Sequence, residues 1–216
     1  MGYSLFIDFD GTTASVDVGN RLFAKFTGGR NEALVERWKR LEIGSVECLT
    51  GEANLFKATE SEVVTYALQF SIDSGFRMLF DVCSTNDIPI YIVSDGLDTY
   101  INAIMRAHGF AQIPVLANRG IFKDGKLRVE FPHKDKSCPR CGTCKGAAIR
   151  KLKRAGDESI FIGDGYSDLC AIDVADYLFA KGDLAEYLAR SGKAFLPFQG
   201  LNEVAEQVLR LTQQQR

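Results

Sequence analysis

The chain has 216 residues, 46% hydrophobic and 25% charged, the balance of a globular protein with room for one sizeable core. A formal charge of −2 offers no broad basic field, so neither nucleic acid nor anionic lipid is an expected partner. No apolar run approaches the ~18 residues of a membrane span, and the chain opens without a secretory pattern; Phe6 stands where a myristoylation signal needs Ser or Thr, so a cytoplasmic, reducing home is expected.

Tyr3 to Ile7 reads as a short buried strand, followed directly by Asp8, Asp10 and the run Gly11-Thr12-Thr13. Residues 14–75 carry helical spacing over Arg21 to Phe26, Glu32 to Leu41 and Glu60 to Phe70, punctuated by Gly28-Gly29, Gly44 and Gly51. Thr59 with Glu62 has the form of a capping box. From there strands and helices alternate. The pattern predicts a helix over Phe76 to Cys83, a buried strand over Ile88 to Val93, a helix over Asp98 to His108 and a short strand over Pro114 to Ala117. Asp124-Gly125 between two alternating runs is a hairpin signal. A basic helix over Gly146 to Arg154, a strand over Ser159 to Ile162, a helix over Ser167 to Val174 and a strand over Tyr177 to Ala180 come next. Leu184 to Ala189 (helix), Ala194 to Leu196 (strand) and Asn202 to Leu211 (helix) close the chain, ahead of a Gln-rich end expected to fray.

This alternation predicts an α/β fold, a doubly wound parallel sheet covered on both faces. The helical stretch interrupts it straight after the first strand. Residues 1–13 and 76–216 are therefore expected to form the core, and 14–75 a small helical cap inserted into it.

Ligands of open α/β sheets bind outside the carboxyl ends of the strands. Asp8 and Asp10 follow the first predicted strand, Ser94, Asp95 and Gly96 the second, and Gly163, Asp164, Gly165 and Asp168 a third. Each acid alone reads as a turn former, and Lys145 alone as a solvated lysine at a helix start. Together they read differently, because like charges ~4 Å apart repel by about 4 kcal/mol at an effective dielectric of 20. A divalent cation relieves that repulsion, and hard oxygen ligands select Mg²⁺. Mg²⁺ with a hydroxyl and a lysine makes a site for a phosphoryl group, with Asp8 the natural nucleophile and Asp10 the proton shuttle.

Asp8-Phe9-Asp10-Gly11-Thr12, Ser94 after an apolar strand, Lys145, and Gly163-Asp164-Gly165-Tyr166-Ser167-Asp168 resemble the four motifs of the haloacid dehalogenase (HAD) superfamily. The resemblance spans almost the whole chain. It implies a HAD-like Rossmannoid core and a phosphomonoesterase working through an aspartyl-phosphate on Asp8. It also implies Asp10 as general acid/base, Ser94 and Lys145 as phosphoryl binders with Asp95 beside them, and Mg²⁺ held by Asp8, the Asp10 carbonyl and Asp164, supported by Asp168. The cap resembles that of the phosphoserine phosphatase branch. Phe131 to Lys145 and the tail from Phe179 resemble 2-hydroxy-3-keto-5-methylthiopentenyl-1-phosphate phosphatases of methionine salvage, and Cys138 to Lys145 also resembles phosphoethanolamine/phosphocholine phosphatases. Asp95 departs from the usual Gly, and Tyr166 from a small residue. The implied substrate is a small soluble phosphate ester. A phosphotransferase, or a non-catalytic phosphate-binding protein on this fold, is the alternative; the latter is expected to have lost Asp8, Asp10 or Lys145, and all three are present.

Asp17 reads equally as the N-cap of a helix over Val18 to Phe26 and as a cap carboxylate that contacts substrate. Arg21, Trp38 and Arg40 are further cap candidates, Trp38 being by default a core residue. His133, Cys138, Cys141 and Cys144 offer four soft ligands within twelve residues. Three readings stand: a reduced loop that delivers Lys145 and carries little zinc, a Zn²⁺ site, or a redox switch. Cys48, Cys83 and Cys170 read as structural, and His108 as a helix C-terminal residue.

Overall fold

The computed structural model describes residues 2–214. β1 (Gly2–Ile7) is buried from Tyr3 onward, so both its faces must be covered. It lies at the centre of a seven-stranded sheet with β2 (Ile90–Leu97), β3 (Val115–Lys123), β4 (Lys126–Glu130), β5 (Asp157–Gly163), β6 (Tyr177–Ala180) and β7 (Leu196–Pro197). The spatial order is β4-β3-β2-β1-β5-β6-β7. All neighbours run parallel except the β3–β4 hairpin at one edge. Leu5 pairs with Ile90 on one side and Ile160 on the other, which sets the three central strand ends level.

Alternation along β1 decides which helices cover which face. Leu5 and Ile7 pack with α5 (Phe76–Thr85), α6 (Asp98–Ala107) and α9 (Leu201–Gln214), through residues such as Leu79, Ile104 and Val204. Phe6 packs the other way, with Ile149 of α7 (Lys145–Leu152) and Leu184 of α8 (Gly182–Ser191). Each such fully buried side chain contributes roughly 1.5–3 kcal/mol of transfer free energy. This is the doubly wound α/β architecture expected from the sequence.

Between β1 and α5 lie α1 (Val18–Thr27), α2 (Glu32–Lys39), α3 (Ser45–Leu55) and α4 (Glu60–Ala67). The chain leaves β1 through one wide turn over Phe9–Thr13. It returns beside its point of departure, with an Ala14–Ile72 bridge and Asp73 N donating to Thr13 O at 2.8 Å. The insert has an aromatic centre, Phe23 against Phe56 at 5.5 Å and Phe26 against Tyr66 at 5.8 Å. Phe56 also meets Phe122 of the β3–β4 hairpin at 6.2 Å, tying insert to sheet.

Several elements differ from the sequence reading. α3 was not anticipated, because Gly51 reads as a break; it lies inside the helix instead, facing Leu34 of α2. β2 continues through Ser94-Asp95-Gly96 to Leu97, with a register shift against β3, where a turn was expected after Val93. β3 runs on to Lys123, since it feeds the hairpin directly. Asp124 and Gly125 both have positive φ (50° and 69°), the backbone of a two-residue primed turn. Tyr166–Ala171 is a 3₁₀ turn rather than the start of an α-helix to Val174. The Thr59–Glu62 capping box forms as read. α9 extends through Gln214, and the rest of the Gln-rich end lies outside the described residues.

Candidate active site at the strand ends

The carboxyl ends of β1, β2 and β5 bring Asp8, Ser94 and Asp164 to one cavity of about 440 Å³. Its floor is Asp8, Asp10, Ser94, Gly96, Asp164 and Ser167; its far wall comes from the helical insert through Asp17, Trp38, Lys39, Cys48 and Glu52.

Lys145 is the hub beneath this floor. It is fully buried at the start of α7. Its Nζ donates to Asp8 Oδ1 at 2.6 Å, to Ser167 Oγ at 2.9 Å and to Asp168 Oδ1. Burial works to lower the Lys145 pKa, but the charges of Asp168 and Asp8 outweigh it and hold the ammonium well above its ordinary value. Asp168, also fully buried, accepts from the backbone N–H groups of Asp164 (2.9 Å) and Gly165 (3.0 Å) through Oδ2. It thereby shapes the turn that presents Asp164.

Asp164 is oriented by Thr12, whose hydroxyl donates to Oδ1 at 2.7 Å. This places the turn after β1 hard against the turn after β5. Gly11 makes that approach possible. Its φ is +79°, and a Cβ there would overlap the Asp164 carboxylate. Oxygens of Asp8, Asp164 and Asp168 lie within 4.8 Å of one another. Burial raises Asp8 well above its ordinary pKa; Lys145 opposes this, and Asp168 and Asp164 add to it. Burial, with the Asp168 charge, raises Asp164 to about 6 against the Thr12 hydrogen bond and the nearby lysines. Three carboxylates with one ammonium are thus short of positive charge, and all the donors are hard oxygens. The set fits Mg²⁺.

Asp10 turns away from this cluster. Its Oδ1 accepts from Gly19 N at 2.9 Å and its Oδ2 from the Tyr100 hydroxyl. Burial, then the charge of Asp17, raises it to about 7, opposed by the bonds from Tyr100, Gly19 and Val18. A carboxyl balanced near neutrality can both give and take a proton. Tyr100 is itself pushed well above its ordinary value by burial and by Asp10, so it remains a donor.

Other predicted site residues fall in different places. Ser94 is buried at the floor and its Oγ accepts from Gly96 N at 3.0 Å. Asp95, expected at the phosphate, lines the same cavity, and its side chain braces the cysteine loop. Its Oδ1 accepts from Gly142 N (3.0 Å), Thr143 N (2.8 Å) and Asn118 Nδ2 (3.1 Å). A carboxylate is a pure acceptor that repels phosphate, so this bracing is the physically sensible use. Asp17 caps α1, accepting from Asn20 N at 2.7 Å, and also lines the cavity. Arg21 does not line it; its guanidinium lies over Phe70 at 5.9 Å. Trp38 is half-buried on the cavity wall rather than in the core, with its indole N–H on Ser45 Oγ at 3.0 Å. Arg40 pairs with Glu42 at the surface. His133 joins no group of potential metal ligands among the described residues, whereas the sulfurs of Cys138, Cys141 and Cys144 lie within 4.8 Å of one another.

Sequence reasoning missed Thr12 as the group orienting Asp164, and missed Tyr100, Ser167 and Glu52. Tyr100 carried a weak signal, a tyrosine in the first turn of a helix that opens at an acid-bearing strand end. Gly96 makes room for it, since a Cβ there would overlap the Tyr100 hydroxyl.

The sequence profile of the family described as "Putative Phosphatase" matches residues 4–185. A 2-hydroxy-3-keto-5-methylthiopentenyl-1-phosphate phosphatase of Bacillus cereus is 28% identical over 218 residues, 98% of each chain. Among solved structures, phosphoserine phosphatase from T. onnurineus superposes with a TM-score of 0.72 at 19% identity, covering 97% of this chain and 95% of that one. A structure titled as the phospho-aspartyl intermediate analogue of phosphoserine phosphatase gives 0.73 at 19% identity, covering 95% and 99%. At that identity the structures speak for the fold, and the profile speaks for the family. The chain belongs to the Putative Phosphatase family and is a HAD-type phosphatase.

Proposed function

We propose that the protein is a Mg²⁺-dependent phosphomonoesterase that hydrolyses a small phosphate ester through an aspartyl-phosphate on Asp8. One observation carries this reading: Lys145 holds Asp8 Oδ1 on the cavity floor, and Asp10, lining the same cavity, is held by Tyr100 and Gly19 with its carboxyl pushed up to about 7 by burial.

The second oxygen of Asp8 attacks phosphorus, and the bond from phosphorus to the ester oxygen breaks. The departing oxygen takes the proton of Asp10. Asp10, now a carboxylate, accepts a proton from water as that water attacks the acyl phosphate; the bond to Asp8 breaks and phosphate leaves. Ser94 offers a donor to the phosphoryl oxygens, and the Lys145 ammonium, held on Asp8, supplies positive charge beneath them, where negative charge concentrates. Asp8, the Asp10 carbonyl and Asp164 would hold Mg²⁺, with Asp168 in support; when bound, it supplies charge neutralisation and Lewis-acid polarisation of the phosphoryl group. The helical insert acts as a cap that limits the substrate to a small molecule and keeps bulk water out. No helix among the described residues is long and apolar enough to cross a membrane. The free thiols favour a reducing cytoplasm.

For the substrate, likeness to the methionine-salvage phosphatase supports 2-hydroxy-3-keto-5-methylthiopentenyl-1-phosphate. The cavity wall favours a second reading. Asp17 and Glu52 are carboxylates and Trp38 an aromatic face, a combination that suits an amine such as phosphoserine, phosphoethanolamine or phosphocholine. Turnover of an aryl phosphate is expected with Mg²⁺ and is expected to vanish in Asp8→Asn, with circular dichroism expected to match that of the wild-type chain. Full activity in excess chelator, or in Asp8→Asn, overturns the mechanism. Specificity constants across the four named esters decide the substrate.

A further inference from the structure

The cysteine loop and the 3₁₀ turn over Tyr166–Ala171 meet directly behind Lys145. The sulfurs of Cys138, Cys141 and Cys144 already form one group within 4.8 Å. Cys170 Sγ lies 3.5 Å from Cys141 Sγ and within hydrogen-bonding reach of Cys144. The fourth sulfur comes from an element 26 residues further along the chain than Cys144, which is why the spacing of the loop alone did not reveal it. Gly146 brings it in. A Cβ at Gly146 would overlap the carbonyl oxygen of Cys170, so only glycine lets α7 approach this turn so closely.

We propose that Cys138, Cys141, Cys144 and Cys170 form a tetrathiolate Zn²⁺ site that pins the start of α7 to the turn carrying Asp168. Zn–S bonds of about 2.3 Å set tetrahedral S···S edges of about 3.8 Å; Cys170 stands 3.5 Å from Cys141, the loop sulfurs lie within 4.8 Å of one another, and Cys170 draws in toward Cys138 when the metal binds. Three ligands from one compact loop and a fourth from a distant turn make a cross-link, which a reduced loop does not provide. Four thiols lose their protons on binding, leaving a net charge of −2 on the metal and its ligands. Two cations face that charge. Arg140 lies close enough to Cys141, Cys138 and Cys170 to interact with them electrostatically, and its buried Nε has no hydrogen-bond partner. Lys145 interacts with Cys170 in the same way. The ordering of the loop against the sheet fits a ligand framework built in advance: Asp95 holds Gly142 and Thr143, and Asn118 Oδ1 accepts from the Thr143 hydroxyl at 3.1 Å. The site is structural, because all four coordination positions are filled by protein.

The full chain, produced in zinc-replete medium and dialysed against excess Mg²⁺, is expected to hold about one zinc per molecule by elemental analysis. Cobalt substituted into it is expected to give the intense visible bands and near-ultraviolet charge transfer of tetrahedral thiolate coordination. Cys170→Ser is expected to lose much of that thiolate signal, whereas His133→Ala and Cys83→Ser retain all of it. If Cys170→Ser fails to fold, the cobalt spectrum of the wild-type chain and of His133→Ala still decides. Less than about a tenth of an equivalent of zinc, a cobalt spectrum lacking thiolate charge transfer, or a Cys141–Cys170 disulfide in freshly purified protein overturns the proposal. Metal content and cobalt spectra do not depend on turnover, so failure here leaves the phosphatase reading standing, and the reverse.

Discussion

The two sides of the active-site cavity are built on opposite plans. On the sheet side, Lys145, Asp168 and Ser94 are buried; Lys145 ties Asp8 to Asp168 across two strand ends, and Ser94 Oγ accepts from Gly96 N of its own strand. On the insert side, α2 buries none of its residues, Asp17 and Lys39 are exposed, and Trp38 is half-buried. The difference follows from what fixes each side. Parallel pairing of β1 with β2 and β5 sets the floor to within a residue, because a one-residue slip would turn every side chain to the other face. The insert is anchored where it leaves and rejoins the sheet, and by Phe56 against Phe122. Charge that must be held in one place is placed on the floor. The wall, held at its margins, is where shape can differ between related chains without disturbing that charge.

The sharpest way to break this contrast is to remove the floor's only buried cation among the described residues. Lys145→Met leaves Asp8 and Asp168 facing one another without an ammonium. Losing one partner of a buried charge pair typically costs about 3–5 kcal/mol. In chelator, urea unfolding is expected to show a loss of that order, part of which Mg²⁺ restores by neutralising the same carboxylates. Turnover is expected to fall by at least about a hundredfold, the scale on which removing an oxyanion donor acts. Wild-type stability for Lys145→Met in chelator would mean that the floor is not held by this charge.

Tyr100→Phe tests the seam between the two sides. Asp10 belongs to the floor, yet Gly19 of the insert and Tyr100 of α6 both donate to it. The Tyr100 bond favours the charged carboxylate, so its loss raises the Asp10 pKa further above about 7. The limb of the pH–rate profile that reports Asp10 is expected to move to higher pH, with roughly tenfold lower turnover near neutrality. An unmoved limb would assign it to another group.

What the sequence disclosed follows the same division. The acids at three strand ends, the hairpin at Asp124-Gly125 and the Thr59 cap are local patterns, each readable within a few residues. Thr12 on Asp164, Tyr100 on Asp10 and Cys170 beside Cys141 join residues separated by 152, 90 and 29 positions. No periodicity encodes such contacts; they exist only once the sheet register is set. α3 escaped for a related reason, since Gly51 lowers helix propensity locally but its packing against Leu34 is tertiary. Asp95 on the amides of Gly142 and Thr143 is a contact of the same kind, spanning 47 and 48 positions.

The smallest effect on turnover is expected from the wall, at Glu52. This side chain is 4% exposed, and its oxygens accept from Asn31 Nδ2 at 2.8 Å and from the Cys48 thiol. Burial raises its pKa from 4.5 to about 7, the Asp17 charge adds to this, and the Asn31 and Cys48 bonds oppose it. The sign follows from linkage: a carboxyl whose folded pKa is raised contributes stability fully present below 4.5 and lost as pH rises through about 7. Glu52→Gln carries no such titration and keeps an acceptor for Asn31. Its stability relative to wild type is therefore expected to increase between pH 4.5 and about 8, by about 3 kcal/mol, or roughly 6–12 degrees in Tm. Turnover of an aryl phosphate, which has no amine to meet the wall, is expected to change less than about twofold. A stability difference independent of pH would show that Glu52 is already ionised in the folded protein. The wall would then carry a standing negative charge, and its preference for amine-bearing esters over the methionine-salvage substrate would be correspondingly stronger.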